Sequence, residues 1–76
     1  MVNNLKYNYS KLRGKIREVF NTERDFAVAM NLSKATISAK LNNAVEFSQT
    51  EIDNACSLLE IDQSDISTYF FTPKVQ

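Results

Sequence analysis

Residues 23–41 read ERDFAVAMNLSKATISAKL, and this stretch decides the fold. Apolar residues recur at the spacing of one helix face on both sides of a polar break. They are Phe26, Ala27 and Met30 before the break, and Ile37 and Leu41 after it. The pattern predicts two short helices joined by three residues, which is the helix-turn-helix layout. An ordinary antiparallel helix pair is the alternative.

The residues at the break suit a tight turn. Asn31 tolerates a positive φ where Gly is usual, and Leu32 supplies an apolar side chain just after the turn. Ala27 is small enough for the second helix to cross the first. Thr22 and Ser33 are helix-capping residues, so we expect the two helices to begin near residues 23 and 34.

The flanking sequence predicts three further helices. A first helix over residues 9–20 carries an apolar sector about 100° wide, made of Tyr9, Leu12, Ile16, Val19 and Phe20. The sequence Ser48–Glu51 is an S-x-x-E capping box, and the helix behind it has the buried face Ile52, Ala55, Cys56 and Leu59. A short last helix follows Asp62 or Ser64, with Ile66, Tyr69 and Phe70 inward and Pro73 beyond its end.

No segment alternates apolar and polar residues with a period of two. We therefore predict an all-α fold of five helices around one core, in a single domain that spans residues 1–76. The helix-turn-helix occupies about 23–41, and the C-terminal helices and tail occupy 48–76.

The composition of the 76 residues excludes several classes of function. One Cys and no His allow neither an internal disulfide nor a zinc site, and they leave no imidazole for a nucleophilic pair. No apolar run approaches the ~18 residues that a membrane span needs. We therefore expect a cytoplasmic protein that is not an enzyme and uses no cofactor, metal, small-molecule ligand or membrane.

Charge is distributed unevenly along the chain, although the formal net charge is zero. Residues 1–40 contain eight basic and three acidic side chains, a net charge of +5, whereas residues 41–76 carry a net charge of −5. Such asymmetry hints at a surface that faces a polyanion. Charges that merely solvate helix faces would give the same count.

The stretch 23–41 resembles the helix-turn-helix of the lambda-repressor-like class. The chain as a whole is similar to small Cro-like proteins of temperate phages and prophages of Gram-positive bacteria. The matching segments are YSKLRGKI at 9–16, DFA at 25–27, ISAKLNN at 37–43, EFS at 46–48, YFF at 69–71 and VQ at 75–76. The resemblance implies a five-helix, lambda-repressor-like domain that binds operator DNA, often as a dimer, in the bacterial nucleoid.

Two positions depart from the pattern of the wider class. Many members begin the second helix with a Gln that clamps a phosphate, whereas this sequence has Glu23, whose charge Arg24 could compensate. Members often pair an Arg of the first helix with a Glu late in the third, and this sequence has Ile16 and Leu41 there. An apolar contact can replace such an ion pair without loss of stability.

In this geometry the helix at about 34–41 enters the major groove of double-stranded operator DNA. The candidates for base contact are Ser33, Lys34, Ala35, Thr36, Ser38 and Ala39. The candidates for phosphate contact are Arg24, Lys40, Asn42, Asn43, Lys15 and Arg17. Lys34 can donate to guanine, whereas Ser33 has the alternative role of a helix cap.

The aromatic residues near the two ends of the chain are expected mainly in the core. Phe70 and Phe71 are adjacent, so both rings cannot enter one core equally. An exposed Phe71 near Val75 would be a homodimer contact.

Two functions stay open. The first is a sequence-specific DNA-binding transcriptional regulator, a Cro-like phage repressor. The second is an antirepressor or modulator on the same fold that binds another phage regulator. The zero net charge and Glu23 at the expected clamp position favour the second.

Overall fold

Five α-helices follow one another in the computed structural model, which describes residues 6–74. They are α1 (Ser10–Phe20), α2 (Glu23–Ala29), α3 (Lys34–Leu41), α4 (Gln49–Leu59) and α5 (Ile66–Phe70), with a 3-10 turn at Gln63–Asp65 before α5. The described residues include no strand, only an isolated antiparallel bridge between Tyr7 and Pro73. The prediction of an all-α fold with five helices is confirmed. No helix between residues 6 and 74 is both long and apolar enough to cross a membrane.

Side-chain caps determine where α2, α3 and α4 begin. The Thr22 hydroxyl accepts a hydrogen bond from the backbone N–H three residues ahead at 3.1 Å, and the Ser33 hydroxyl does the same at 3.0 Å. Ser48 and Glu51 form the reciprocal capping box. These bonds satisfy amide groups that have no partner inside the helix, so the helices begin where the sequence predicts.

Residues with a positive φ end four of the helices, beginning with Asn21 (φ 73°) after α1. Asn31 (φ 61°) follows α2, as the sequence predicts, and Asn43 (φ 66°) follows α3. In both turns the N–H of the next residue reaches the carbonyl five residues back, which is the Schellman arrangement. Glu60 (φ 57°) ends α4 in the same left-handed conformation, although its residue type has no special tolerance for it.

An apolar core lies between the helices. Its buried side chains are Tyr9, Leu12, Ile16, Phe26, Ala27, Met30, Ile37, Leu41, Ile52, Ala55, Cys56, Leu59, Ile61 and Phe70. The predicted inward residues of α2, α3 and α4 all belong to this set. Val19 was predicted to be buried, but 44% of its surface is exposed. It lies about 60° around the helix axis from Ile16, at the edge of the apolar sector rather than at its centre.

Gly14 lies in the middle of α1 with open space beside it. A Cβ atom at this position would meet no neighbouring element within 4 Å. We expect Gly14→Ala to raise the free energy of unfolding by roughly 0.5–1 kcal/mol, because Ala loses less backbone freedom in a helix. Urea denaturation followed by circular dichroism measures the change. A less stable variant would show that the position does not tolerate a methyl group.

Candidate functional site

The outward side of α3 carries the residues expected to contact bases. Ser33, Lys34 and Ala35 are exposed, and Thr36, Ser38 and Ala39 are half-buried. The Ser33 hydroxyl is engaged as the helix cap and also donates to the Thr36 hydroxyl at 2.8 Å. Lys34 is the one charged residue of this set, and the others present short, neutral side chains.

An ion pair neutralises the Glu23 carboxylate at the N-terminus of α2. Arg13 on α1 donates through Nη1 to Oε2 of Glu23 at 2.6 Å. Through Nη2 it donates to the carbonyl of Leu41 at 3.2 Å and to Oδ1 of Asn42 at 2.9 Å. One guanidinium therefore joins α1, α2 and the end of α3. Arg13, rather than Arg24, balances the charge of Glu23.

The prediction that Lys40 contacts a DNA phosphate is not supported by its position in the structure. Its side chain is only 7% exposed, and its Nζ lies 2.9 Å from Oε1 of Glu51. The same ammonium donates to the carbonyl of Glu46 at 3.0 Å and lies 5.9 Å from the centre of the Phe47 ring. The side chain turns inward because these partners replace the water that a buried ammonium would lose. This ammonium is not free to bind a DNA phosphate.

The two asparagines of the phosphate-contacting set also have partners within the protein. Asn42 accepts from Arg13. The amide of Asn43 forms two hydrogen bonds with the backbone of Tyr7. The structure therefore assigns both side chains to holding the chain together at the end of α3.

The remaining members of the set are cationic and lie nearer to solvent. Arg17 and Arg24 are exposed, and Lys15 is half-buried in an ion pair within α1. Arg17 and Lys34 line a shallow cleft of about 270 Å³ together with Glu23. This cleft and the exposed Arg24 keep positive charge on the α2–α3 side.

A larger groove of about 550 Å³ opens beside the loop after α3. Its apolar lining includes Tyr7, Tyr9, Val45, Phe47, Phe70 and Phe71. Lys6 and Glu46 add one positive and one negative group to the same groove. An apolar concave surface with a few charged groups is typical of a recognition site.

Edge-to-face contacts order the rings of this groove. The ring centroids of Tyr7 and Phe71 are 5.6 Å apart, those of Tyr9 and Phe47 are 5.6 Å apart, and those of Phe47 and Phe70 are 5.4 Å apart. The interplanar angles are 79°, 84° and 87°, the T-shaped geometry that aromatic pairs favour. The groove is therefore formed before any partner arrives.

Part of this apolar lining is open to solvent. Phe71 is 44% exposed and Val45 is 51% exposed, whereas Phe70 is buried. Helix α5 ends between the two phenylalanines, so only one ring enters the core. That Phe71 forms a homodimer contact stays a prediction. Val75, the other residue predicted at that contact, lies outside the described residues.

The sequence pattern does not predict this groove. Tyr7, Asn43 and Phe47 come from different parts of the chain, and no local spacing links them. The feature of the sequence that points to the groove is the presence of aromatic pairs near both ends of the chain. Among residues 6–74, no group of three His, Cys, Asp or Glu side chains is arranged to hold a metal ion.

A family model described as "Protein of unknown function (DUF739)" matches residues 5–73. The chain belongs to this family. No curated protein matches this DUF739 member. Among solved structures, it is similar to the solution structure of the modulator of repression (MOR) of the temperate bacteriophage TP901-1 from Lactococcus lactis. The sequence identity is 47%, the TM-score is 0.79, and the match covers 92% of this chain and 95% of that one.

The Lys40–Glu51 pair makes the stability of this DUF739 member depend on pH. Burial alone would raise the pKa of the Glu51 carboxyl, but the backbone N–H of Ser48 and the Lys40 ammonium outweigh it, and the pKa is lowered. A carboxyl with a lowered folded-state pKa stabilises the fold above its unfolded pKa and loses that effect as the pH falls through the folded pKa. We expect the free energy of unfolding to decrease as the pH falls below about 4.5, as urea titrations over a pH series can measure.

The variant Glu51→Gln provides the test of this pair. Gln keeps the shape and the capping role but leaves the buried Lys40 ammonium without its counter-charge. We expect a loss of roughly 3 kcal/mol at neutral pH and a flatter pH profile. The double variant Lys40→Met/Glu51→Gln removes the unpaired charge and should recover part of that loss. A Glu51→Gln protein as stable as the parent would contradict the pairing.

Proposed function

We propose that this protein is a modulator of phage repression that acts by binding another regulator protein of the same phage. The similar solved structure is a modulator of repression of a temperate bacteriophage, and its similarity extends over almost the whole of both chains. The binding surface in this proposal is the aromatic groove between Tyr7, Phe47 and Phe71.

The groove is the observation that carries the proposal. It presents exposed apolar surface at Val45 and Phe71 next to ordered, partly buried rings. Removing such surface from water favours association, and aromatic side chains often supply most of the binding energy of an interface. Lys6 and Glu46 provide charges that can pair with a partner and orient it.

The alternative function, DNA binding through α3, is weakened because some residues predicted to contact phosphates are engaged within the protein. Glu23 places a carboxylate at the start of α2, and Arg13 is used to neutralise it. The ammonium of Lys40 is buried against Glu51. Since phosphate contacts supply most of the affinity of proteins for DNA, these two changes weaken the case for a groove-reading repressor.

One observation still supports DNA binding as the second candidate. Arg17, Arg24 and Lys34 are exposed, and α3 begins at Lys34 behind the Ser33 cap. A helix held across a tight turn with its N-terminal end open to solvent is the arrangement that reads the major groove in helix-turn-helix proteins.

Two matched substitutions test the proposed surface. Val45→Ser and Val28→Ser each remove an exposed valine, the first in the groove and the second on α2, where Val28 is 73% exposed. The probe is the purified repressor encoded in the same phage or prophage genome, titrated by isothermal calorimetry. We expect Val45→Ser to weaken binding by roughly fivefold, as about 1 kcal/mol of lost apolar contact predicts, and Val28→Ser to have no effect. Weakening by Val28→Ser alone would move the interface to the α2–α3 side.

A DNA titration distinguishes the two candidates. DNA from around the gene of this protein and unrelated DNA are compared at several salt concentrations. The modulator proposal predicts no preference between them. Specific binding with a salt slope of about −0.9 per neutralised phosphate, lost in Lys34→Ala and strengthened in Glu23→Gln, would support the repressor instead.

A further inference from the structure

Asn43 holds the N-terminal segment of the described chain through its side-chain amide. Its Oδ1 accepts the Tyr7 backbone N–H at 2.9 Å, and its Nδ2 donates to the Tyr7 carbonyl at 2.9 Å. One amide therefore satisfies both main-chain groups of one residue, as a neighbouring strand would do. The two bonds span 36 positions of sequence.

The other edge of the same segment is paired with residues near the C-terminus. The N–H of Asn8 donates to the carbonyl of Thr72 at 2.8 Å, and the N–H of Lys74 donates to the carbonyl of Lys6 at 3.0 Å. Residues 6–8 thus lie between the Asn43 amide on one side and residues 72–74 on the other. This arrangement places the Tyr7 ring against Phe71 on the wall of the groove.

The backbone of Asn43 explains why this amide points where it does. Asn43 has φ 66° and closes α3, so its side chain leaves the helix end in a direction that a helical residue could not take. Asn is among the few side-chain-bearing residues that tolerate this conformation, and it also carries both a donor and an acceptor. Gly would accept the conformation but could not hold Tyr7.

We propose that Asn43 is the positioning residue of the groove: its amide fixes Tyr7 against Phe71 and thereby shapes the surface that binds the partner regulator. This inference rests on the proposed function, since it assigns to Asn43 a role in that same groove. It replaces the phosphate contact expected from the sequence with a contact inside the protein.

The variant Asn43→Gly tests the role, because Gly keeps the left-handed turn and removes only the amide. The loss of two hydrogen bonds predicts faster hydrogen exchange at the Tyr7 N–H and roughly tenfold weaker binding of the purified repressor. Asn31→Gly is the matched control, since Asn31 has φ 61° at the end of α2 and does not line the groove. We expect Asn31→Gly to bind like the parent protein.

A double-mutant cycle with Tyr7→Ala separates positioning from general stability. If Asn43 acts through Tyr7, the double variant Asn43→Gly/Tyr7→Ala loses no more affinity than Tyr7→Ala alone. Thermal melts of each variant show that the helical core remains folded at the temperature of the titration. Additive losses, or parent-like binding by Asn43→Gly despite faster exchange at Tyr7, would overturn the inference.

Two variants of exposed groove residues, Val45→Ser and Phe71→Ser, distinguish a failure of the role given to Asn43 from a failure of the proposed function. Weaker binding by Phe71→Ser together with parent-like binding by Asn43→Gly rejects only the role of Asn43. Parent-like binding by Phe71→Ser, Val45→Ser and Asn43→Gly rejects the groove itself and the inference with it.

Discussion

The C-terminal end of α3 is the point on which the rest of the structure depends. A helix end leaves carbonyl groups without partners, and α3 has only eight residues, too few to be stable alone. Here Arg13 covers the Leu41 carbonyl, Lys40 reaches Glu51 at the start of α4, and Asn43 holds the N-terminal segment. The four consecutive residues 40–43 therefore connect α3 to most of the other elements of the described chain.

This use of the polar residues changes what the surface of the molecule can do. Lys40, Asn42 and Asn43 have the residue types of phosphate contacts, but each is engaged within the protein. With Lys40 engaged in this way, the α2–α3 side keeps few free cations, and Asn43 lines the groove instead. This loss of uncommitted positive charge is in line with the proposal that the protein binds another protein, because the affinity for DNA depends on such charge.

The helices, their caps and their buried faces were predictable from the sequence, whereas the ion pairs were not. The capping box from Ser48 to Glu51 spans four residues, and such local spacings can be read directly. The pair between Arg13 and Glu23 joins two helices, and its formation depends on how they pack. Val19 shows the same limit within one helix, since periodicity defines a sector but not how far the neighbouring elements cover it.

The sequence by itself determined that the chain is all-helical, where the main helices begin and which apolar residues form most of the core. These properties follow from spacings of three or four residues and from the conformational preferences of Ser, Thr and Asn. Only the tertiary structure decided the partners of Arg13, Lys40 and Asn43, and with them the presence of the groove. The physical reason is that the sequence does not say whether a cation or an amide binds water, a phosphate or a distant carbonyl. The packing of the helices selects which of these lies within hydrogen-bonding distance.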